Sequence, residues 1–257
     1  LARTRSHLHK HTTMTVTRLI APAKLTLSLR VTGVRSDGYH LIDAEMVSIN
    51  LCDELLLSKG SDLVVRSAGS GLEIPVTENN LVTRALDLVD RKAGVTIEKK
   101  IPAGAGLGGG SADAAAILRW AGFDDPIAAS ALGADVAFCL QGGRARVQGI
   151  GELIDPLPHL DQEITILIPP IGISTPEVYR TWDELNGPTG PHGNDLEDAA
   201  VEVEPQLAEW RDILSEATGM RARLAGSGGA WFVEGRHETI VHRGVASQTV
   251  RTMPSIA

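Results

Sequence analysis

Residues 102–112 have the composition of a phosphate-binding loop. Five glycines lie between positions 104 and 110, and Ser111 follows them at the start of an alanine-rich segment of high helix propensity. Glycine lets a backbone approach a phosphate group closely, and the unpaired N–H groups at a helix start favour anions. The pattern therefore predicts a loop that binds phosphate, and a flexible turn without a ligand is the alternative.

Two widespread phosphate motifs fit this loop poorly. Gly104, Gly106 and Gly109 match the GxGxxG pattern of dinucleotide-binding proteins, but no clear βαβ unit ending in an acidic residue follows them. The GxxxxGK[ST] pattern of P-loop ATPases is absent. The loop shares with both motifs only the physics of a glycine backbone and a helix start, which leaves its phosphate ligand open.

The elements that must position this loop are a mixture of strands and helices. Residues 19–66 are strand-rich, with alternating apolar and polar side chains over 25–31 and 46–51. In residues 78–94 the apolar side chains recur at helical spacing. An asparagine can cap the start of this predicted helix, and Gly94 is expected to end it. A predicted strand over 95–101 then leads into the loop.

The second half of the chain is more helical. After Pro169 and Pro170, helical segments are followed by a short strand-and-turn stretch, and a polar tail with few strand signals ends the chain. We therefore expect an α+β protein of two lobes. The expected parts are a disordered leader over 1–16, an N-terminal domain over 17–160 and a C-terminal domain over 161–257.

Composition excludes several classes of protein. The 257 residues carry 32 acidic and 24 basic side chains, a net charge of −8, which argues against binding to the phosphate backbone of nucleic acids. No apolar run approaches the roughly 20 residues that a membrane span needs. Cys52 and Cys139 are too few for a disulfide framework and lack metal-site spacing, so a cytoplasmic location is expected.

The first residues of the chain are basic. His7, His9 and His11 alternate and are candidate metal ligands, but no acidic or cysteine residue lies near them. A basic leader ahead of the folded protein is the preferred interpretation of this segment.

Five segments together resemble the GHMP kinase superfamily, and within it the kinases that act on 4-diphosphocytidyl-2-C-methyl-D-erythritol. In the order of the family they are APAKLTLSLRVTGVRSDGYH at 21–40, PAGAGLGGGSADAA at 102–115, LGADVAFCLQGG at 132–143, GNDLE at 193–197 and AGSGG at 225–229. The resemblance implies a two-lobed GHMP kinase fold, with a mixed α/β nucleotide-binding lobe followed by an α+β lobe. It also implies an enzyme that uses ATP to phosphorylate the 2-hydroxyl of that acceptor, in the non-mevalonate route to isoprenoid precursors.

The resemblance assigns phosphoryl-transfer chemistry to two side chains. Asp135, in LGADVAF, matches the family's catalytic aspartate, and a carboxylate can accept the proton of the attacking hydroxyl. Lys24, in PAK, matches the family's lysine and would stabilise the alkoxide or the γ-phosphate. A solvated surface carboxylate and a strand-end lysine are the structural alternatives.

The resemblance implies that the nucleotide is ATP. It also implies Mg²⁺ as cofactor, because phosphoryl transfer needs the negative charge of the phosphates neutralised. No cluster of carboxylates predicts a metal cage, so phosphates and water would supply most of the metal's ligands. The expected ATP-binding residues are Pro102, Ala103, Gly104, Ala105, Gly106, Leu107, Gly108, Gly109, Gly110, Ser111 and Ala112.

The same resemblance implies a site for a cytidine head group. Tyr39 and His40 would stack on the base and bond its edge, and Tyr179 would stack on the opposite face. Core packing is the alternative for Tyr179, and a simple strand-connecting turn is the alternative for 226–228. The expected acceptor-binding residues are Thr26, Tyr39, His40, Thr175, Tyr179, Gly226, Ser227 and Gly228.

The sequence departs from the family pattern in a few places. Thr26 stands where the family has asparagine, Ala112 stands where it has a second serine, and the segment 113–132 is short. These departures keep two alternatives open, a GHMP kinase with another small-molecule acceptor and a nucleotide-binding relative without activity. In each case we expect a small-molecule ligand, no nucleic-acid or membrane partner, and a monomer or weak homodimer.

Overall fold

The computed structural model describes residues 16–68, 73–74, 76–77, 79–190 and 192–256. The predicted leader lies outside these residues, except for Val16, and so do His7, His9 and His11. The described chain forms two main sheets accompanied by helices, the mixture of elements that the sequence predicts.

Seven strands form the first sheet. They are β1 Thr17–Val34, β2 His40–Ser58, β3 Leu63–Ser67, β4 Glu73–Ile74, β5 Gly94–Lys99, β6 Arg144–Gly149 and β7 Leu153–Leu157. The long β1 and β2 pair antiparallel, with a register shift at Pro22/Ala23 and two more farther along. β5 pairs with one end of β2 and runs parallel to β3, whereas β6 pairs with the other end of β2 and forms a hairpin with β7.

Four helices accompany this sheet: α1 Leu81–Leu88, α2 Gly109–Trp120, α3 Pro126–Ser130 and α4 Ala134–Gln141. α2 packs on β1 and against α1 and α4. Every residue of α2 from 112 to 118 is buried, and four of these seven are alanines. A helix that is buried on all sides needs small apolar side chains to lie close to its neighbours, which explains the alanine-rich sequence after the glycines.

The second sheet has four strands in the order β13–β8–β10–β9. Its strands are β8 Glu163–Leu167, β9 Arg223–Leu224, β10 Trp231–Glu234 and β13 Gln248–Arg251. β11 Val241–His242 and β12 Val245–Ala246 form a separate hairpin. The accompanying helices are α5 Thr175–Glu184, α6 Glu197–Val203 and α7 Gln206–Thr218.

The prediction of a strand-poor tail is wrong. β13 joins the second sheet beside β8, and Thr252 and Ser255 then form bridges to Ile49 and Gly142, near the first sheet. Only Val250 of β13 is fully buried. An edge strand with one solvated face keeps polar side chains, so its sequence carries little of the apolar pattern that identifies a strand.

The prediction that Gly94 ends the first helix is also wrong. α1 ends at Leu88, and the left-handed turn that follows is made by Asp90, with a φ of 48°. Asp is among the few residues other than glycine that adopt this conformation readily. Gly94 instead begins β5, where a Cβ atom would lie 2.9 Å from Ser58 Oγ.

Three charged side chains are buried together where β5 leaves the first sheet. The Lys99 ammonium donates to Asp53 Oδ2 and, over 2.8 Å, to Asp113 Oδ2. Asp53 and Asp113 are 0% and 3% exposed. Burial, with a smaller contribution from Asp53, raises the pKa of Asp113 to about 7 despite the nearby ammonium. We refer to Asp53, Lys99 and Asp113 as the buried triad.

Asp113→Asn should change how stability depends on pH. A carboxyl whose pKa is raised in the folded state contributes stability below its unfolded pKa of about 4, and this contribution is lost as the pH rises through about 7. Urea titrations measure the unfolding free energy of both proteins at each pH. Between about pH 5 and about pH 8, the value for the variant should rise by about 1–3 kcal/mol relative to that of the wild type. A difference between the two proteins that does not change with pH would contradict this expectation.

Candidate active site

The glycine loop, residues 102–112, runs from the end of β5 into the first turn of α2. Gly104, Gly106 and Gly108 have φ angles of 72°, 76° and 68°, in the left-handed region that favours glycine. Ala105 and Leu107 lie between them, are buried and have no positive φ. An alternation of this kind can turn successive N–H groups toward one side and so suits an anion, and the N–H groups at the start of a helix such as α2 also favour one.

Backbone contacts fix the glycine loop against two other segments. The Lys24 N–H of β1 donates to the Leu107 carbonyl over 3.0 Å, and the Ala230 N–H donates to the Ala105 carbonyl over 3.2 Å. A Cβ atom at position 106 would lie 2.5 Å from the Cα of Gly228. The loop therefore crosses the turn at 226–228, which we call the glycine turn, at a distance that only glycines allow.

Lys24 and Asp135 form an ion pair beside the loop. The Lys24 ammonium lies 3.3 Å from Asp135 Oδ2 and donates to Thr26 Oγ1, also over 3.3 Å. The Lys24 side chain is 7% exposed, whereas that of Asp135 is 32% exposed. A buried ammonium requires an opposite charge close by, and Asp135 supplies it while staying accessible to a small molecule.

The local structure explains how these two side chains meet. Lys24 follows the register shift of β1 at Pro22/Ala23, and Asp135 lies in the first turn of α4, where the helix dipole favours a carboxylate. Gly108 leaves space for the lysine, because a Cβ atom there would lie 2.8 Å from Lys24 Cγ. The glycine loop is therefore shaped by Lys24 as well as by its own turns.

The glycine turn lies on another side of Lys24. A Cβ atom at Gly226 would lie 3.2 Å from Thr26 Oγ1 and 3.6 Å from Lys24 Nζ. The Ser227 and Thr175 hydroxyls are hydrogen-bonded to each other at 2.9 Å, which joins the turn to the start of α5. The predicted residues Thr26, Thr175, Gly226 and Ser227 are thus brought together with Lys24.

An aromatic cluster lies between the start of β2 and α5. The rings of His40 and Tyr179 are 4.7 Å apart and inclined at 32°, and Trp182 meets His40 edge-on at 5.7 Å. His40 Nε2 is 2.9 Å from Asp183 Oδ1. Tyr39 is 60% exposed. The structure therefore places His40, rather than Tyr39, against Tyr179.

Burial also sets the ionisation of two groups near Asp135. It raises the pKa of Tyr179, and the negative charge of Asp135 adds to this shift, so the phenol stays protonated and can donate a hydrogen bond. Burial raises the pKa of the Cys139 thiol to about 12, with a smaller contribution from Asp135. Cys139 is therefore not a nucleophile at neutral pH.

Sequence reasoning missed two residues that support this site. Asn194 donates to the carbonyls of Leu224 and Gly226 over 2.9 and 2.7 Å, which fixes the glycine turn. The GNDLE motif marked this asparagine without giving it a role. Asp183, the partner of His40, had no distinguishing signal, because it is one of several acidic residues on an exposed helix.

Kinases from two bacteria are similar to this chain over most of its length. A 4-diphosphocytidyl-2-C-methyl-D-erythritol kinase of Paracoccus denitrificans (strain Pd 1222) is 37% identical over 234 residues, which cover 84% of this chain and 85% of that protein. One from Cereibacter sphaeroides (strain ATCC 17029 / ATH 2.4.9) is 35% identical over 246 residues, which cover 84% and 88%. The chain belongs to the 4-diphosphocytidyl-2-C-methyl-D-erythritol kinase family.

A second family match and two solved structures support this assignment. Residues 80–143, which include the glycine loop and Asp135, match the family described as GHMP kinases N terminal domain. A crystal structure of 4-(cytidine 5'-diphospho)-2C-methyl-D-erythritol kinase is 32% identical, with a TM-score of 0.69, over 86% of this chain and 91% of that one. Homoserine kinase from Cytophaga hutchinsonii, 18% identical with a TM-score of 0.57 over 97% and 98%, shares the fold. The predicted resemblance and the α+β GHMP kinase fold are confirmed.

A 4-diphosphocytidyl-2-C-methyl-D-erythritol kinase is a small-molecule phosphotransferase, so this chain is an enzyme of that class. ATP as phosphoryl donor and a small-molecule substrate follow from the same membership. In the described part of the chain, no helix is both long and apolar enough to cross a membrane.

Gly106→Ala should disrupt the crossing of the glycine loop and the glycine turn. Gly122→Ala is the matched control, because Gly122 has a similar φ of 75° but nothing within 4 Å of its Cβ position. The control should lose about 1–2 kcal/mol of unfolding free energy from backbone strain alone. Gly106→Ala should lose about 1–3 kcal/mol more, because the added methyl group overlaps Gly228.

Urea unfolding measures these losses, and calorimetric titration with ATP measures the consequence for binding. We expect Gly106→Ala to bind ATP at least about tenfold more weakly and Gly122→Ala to bind it as the wild type does. Equal losses of stability in the two variants would show that the crossing is not tight.

Proposed function

We propose that this chain transfers the γ-phosphoryl group of ATP to the 2-hydroxyl of 4-diphosphocytidyl-2-C-methyl-D-erythritol, in the non-mevalonate route to isoprenoid precursors. Membership of the family supports this reaction. The observation that carries it is the Lys24–Asp135 pair, which lies beside the glycine loop and close to the glycine turn. The relatives are named as kinases, so a relative without activity is not favoured.

Asp135 is the proposed base. As the bond between the acceptor oxygen and the γ-phosphorus forms and the bond from that phosphorus to ADP breaks, the hydroxyl proton moves to the Asp135 carboxylate. Lys24 lies 3.3 Å from Asp135 Oδ2, so it places positive charge where the acceptor oxygen becomes negative. Both side chains thus act by position and charge, which is what a loose phosphoryl-transfer transition state requires.

The glycine loop is the proposed site of the ATP phosphates. Its residues 102–112 carry one polar side chain, Ser111, so main-chain N–H groups are its principal donors. Gly104, Gly106 and Gly108 supply the left-handed turns that expose these groups. The nucleotide therefore meets backbone rather than side chains along most of the loop.

Mg²⁺ fits this site as an ion that enters with the nucleotide. Among the described residues no three His, Cys, Asp or Glu side chains lie together as a metal cage. Phosphate oxygens and water would therefore be its main ligands, and the Ser111 hydroxyl at the start of α2 is the candidate ligand from the loop. When bound, the ion neutralises charge on the phosphates.

The aromatic cluster is the proposed site of the cytidine base. A base has a π-face that stacks on Tyr179 or His40, and the ring nitrogens of His40 can bond its edge. Thr175 of α5 is bonded to Ser227, and Gly226 borders Lys24, so Thr175, Ser227 and the backbone of Gly226 and Gly228 are the proposed contacts of the diphosphate. Tyr39, exposed at the start of β2, is proposed as an outer contact with the base.

The proposal also covers the domain division, the partners and the location of the protein. A boundary near residue 160 falls between β7 and β8, so 17–160 would form the ATP-binding domain and 161–257 the C-terminal domain. The net charge of −8 supports the absence of a nucleic-acid partner. A monomer or weak homodimer in the cytoplasm completes the proposal.

Asp135→Asn should abolish most of the phosphoryl transfer. Loss of the base should lower kcat by about 10²–10⁴-fold, while ATP binding by the glycine loop persists. Asp124→Asn is the control, since Asp124 is an exposed carboxylate outside the site. Coupled ADP assays give the rates, and calorimetry with ATP shows whether the variant is folded. A kcat for Asp135→Asn like that of the control would exclude Asp135 as the base.

Tyr179→Leu should weaken the binding of the acceptor and leave the binding of the nucleotide unchanged. Stacking of a base on an aromatic ring is worth about 1–3 kcal/mol, so the KM for the cytidine acceptor should rise about 5- to 100-fold. The KM for ATP should not change. Arg180→Ala is the control, because its side chain is 66% exposed on the same helix. If only protein stability falls and both KM values stay the same, Tyr179 is a core residue.

A further inference from the structure

The buried triad connects the two ends of the glycine loop. At the entrance, Asp53 Oδ1 accepts hydrogen bonds from the backbone N–H groups of Lys100 and Ile101, over 2.5 and 2.8 Å. At the exit, Asp113 lies in the early part of α2. The Lys99 ammonium bridges Asp53 and Asp113, so one chain of contacts runs from the last residue of β5 to the helix that follows the loop.

The Lys99 ammonium also lies beside Gly109, where α2 begins. A Cβ atom at Gly109 would lie 3.1 Å from Lys99 Nζ and 3.1 Å from Ile101 Cγ2. The Lys99 side chain is 17% exposed, so most of it is packed away from solvent. A shift of the ammonium would therefore shift the first helical turn, whose N–H groups belong to the phosphate site.

The buried triad is an expensive way to stabilise a core. It holds two carboxylates and one ammonium, and Asp113 Oδ1 has no hydrogen-bond partner among the described residues. Buried ion pairs are often no more stable than apolar side chains of the same volume, and an unpaired buried oxygen costs further stability. Buried charges with perturbing partners often lie at functional sites, and the adjoining candidate site here is the glycine loop.

We propose that Asp53, Lys99 and Asp113 are positioning residues that hold the ends of the glycine loop at the separation that ATP phosphates require. This inference rests on the proposed function, because it takes the loop to be the ATP site. The triad acts through the backbone of residues 100, 101 and 109 and does not itself contact the nucleotide. By fixing both ends, it removes conformations that a loop of five glycines would otherwise have to lose on binding.

Lys99→Met tests the bridge, because methionine keeps much of the side-chain length and removes the ammonium. We expect the KM for ATP to rise about tenfold or more, while the KM for the acceptor stays within about twofold. Partial unfolding alone would lower the apparent kcat and leave both KM values unchanged. Lys92→Met, at an exposed lysine before β5, is the control and should match the wild type.

The double variant Lys99→Met/Asp113→Asn separates positioning from charge balance. It removes the ammonium together with the Asp113 carboxyl group, so part of the stability lost in Lys99→Met should return while the KM for ATP stays raised. Recovery of the wild-type KM for ATP together with the stability would overturn the proposal, and so would a wild-type KM in Lys99→Met itself. If Lys99→Met does not fold, the double variant still decides. A wild-type protein that neither binds nor consumes ATP would instead overturn the proposed function.

Discussion

At Gly106 and Gly228 two stretches of backbone approach so closely that a Cβ atom on either glycine would overlap the other chain segment. This crossing joins the loop that leaves β5 to the turn that follows β9, so groups suited to ATP phosphates lie beside groups suited to the acceptor. Gly108 and Gly226 both border Lys24 close to the crossing. In the proposed reaction one ammonium serves both substrates, and its partner Asp135 is the proposed base at the same point.

The departures from the family pattern fit this arrangement. Thr26 is 1% exposed and its hydroxyl accepts a hydrogen bond from Lys24, so it still orients the lysine where the family has asparagine. Ala112 is equally buried, and its N–H donates to the Gly108 carbonyl within the first turn of α2. The short segment before Asp135 holds the five-residue α3, and α4 follows it and still packs against α2.

The sequence alone predicted the parts of the candidate site that are local. The glycine loop, Lys24 and Asp135 lie in short motifs whose residue types carry the chemistry. The buried triad was not recognisable, because Asp53, Lys99 and Asp113 meet only through tertiary contacts. Asp183 is likewise defined only by the packing of α5 on His40. The edge strand β13 was missed because it has a single buried side chain, Val250, and one residue cannot show the apolar alternation that identifies a strand.

The Lys24–Asp135 site is proposed to phosphorylate the 2-hydroxyl of a cytidine-linked methylerythritol. Phosphorus NMR of the purified protein with Mg²⁺, ATP and 4-diphosphocytidyl-2-C-methyl-D-erythritol tests it most directly, beside reactions with homoserine or mevalonate as acceptor. We expect a new phosphomonoester resonance only with the cytidine compound, formed in equal amount with ADP. A phosphomonoester formed from another acceptor instead, or none from the cytidine compound while ATP is bound, would contradict the claim.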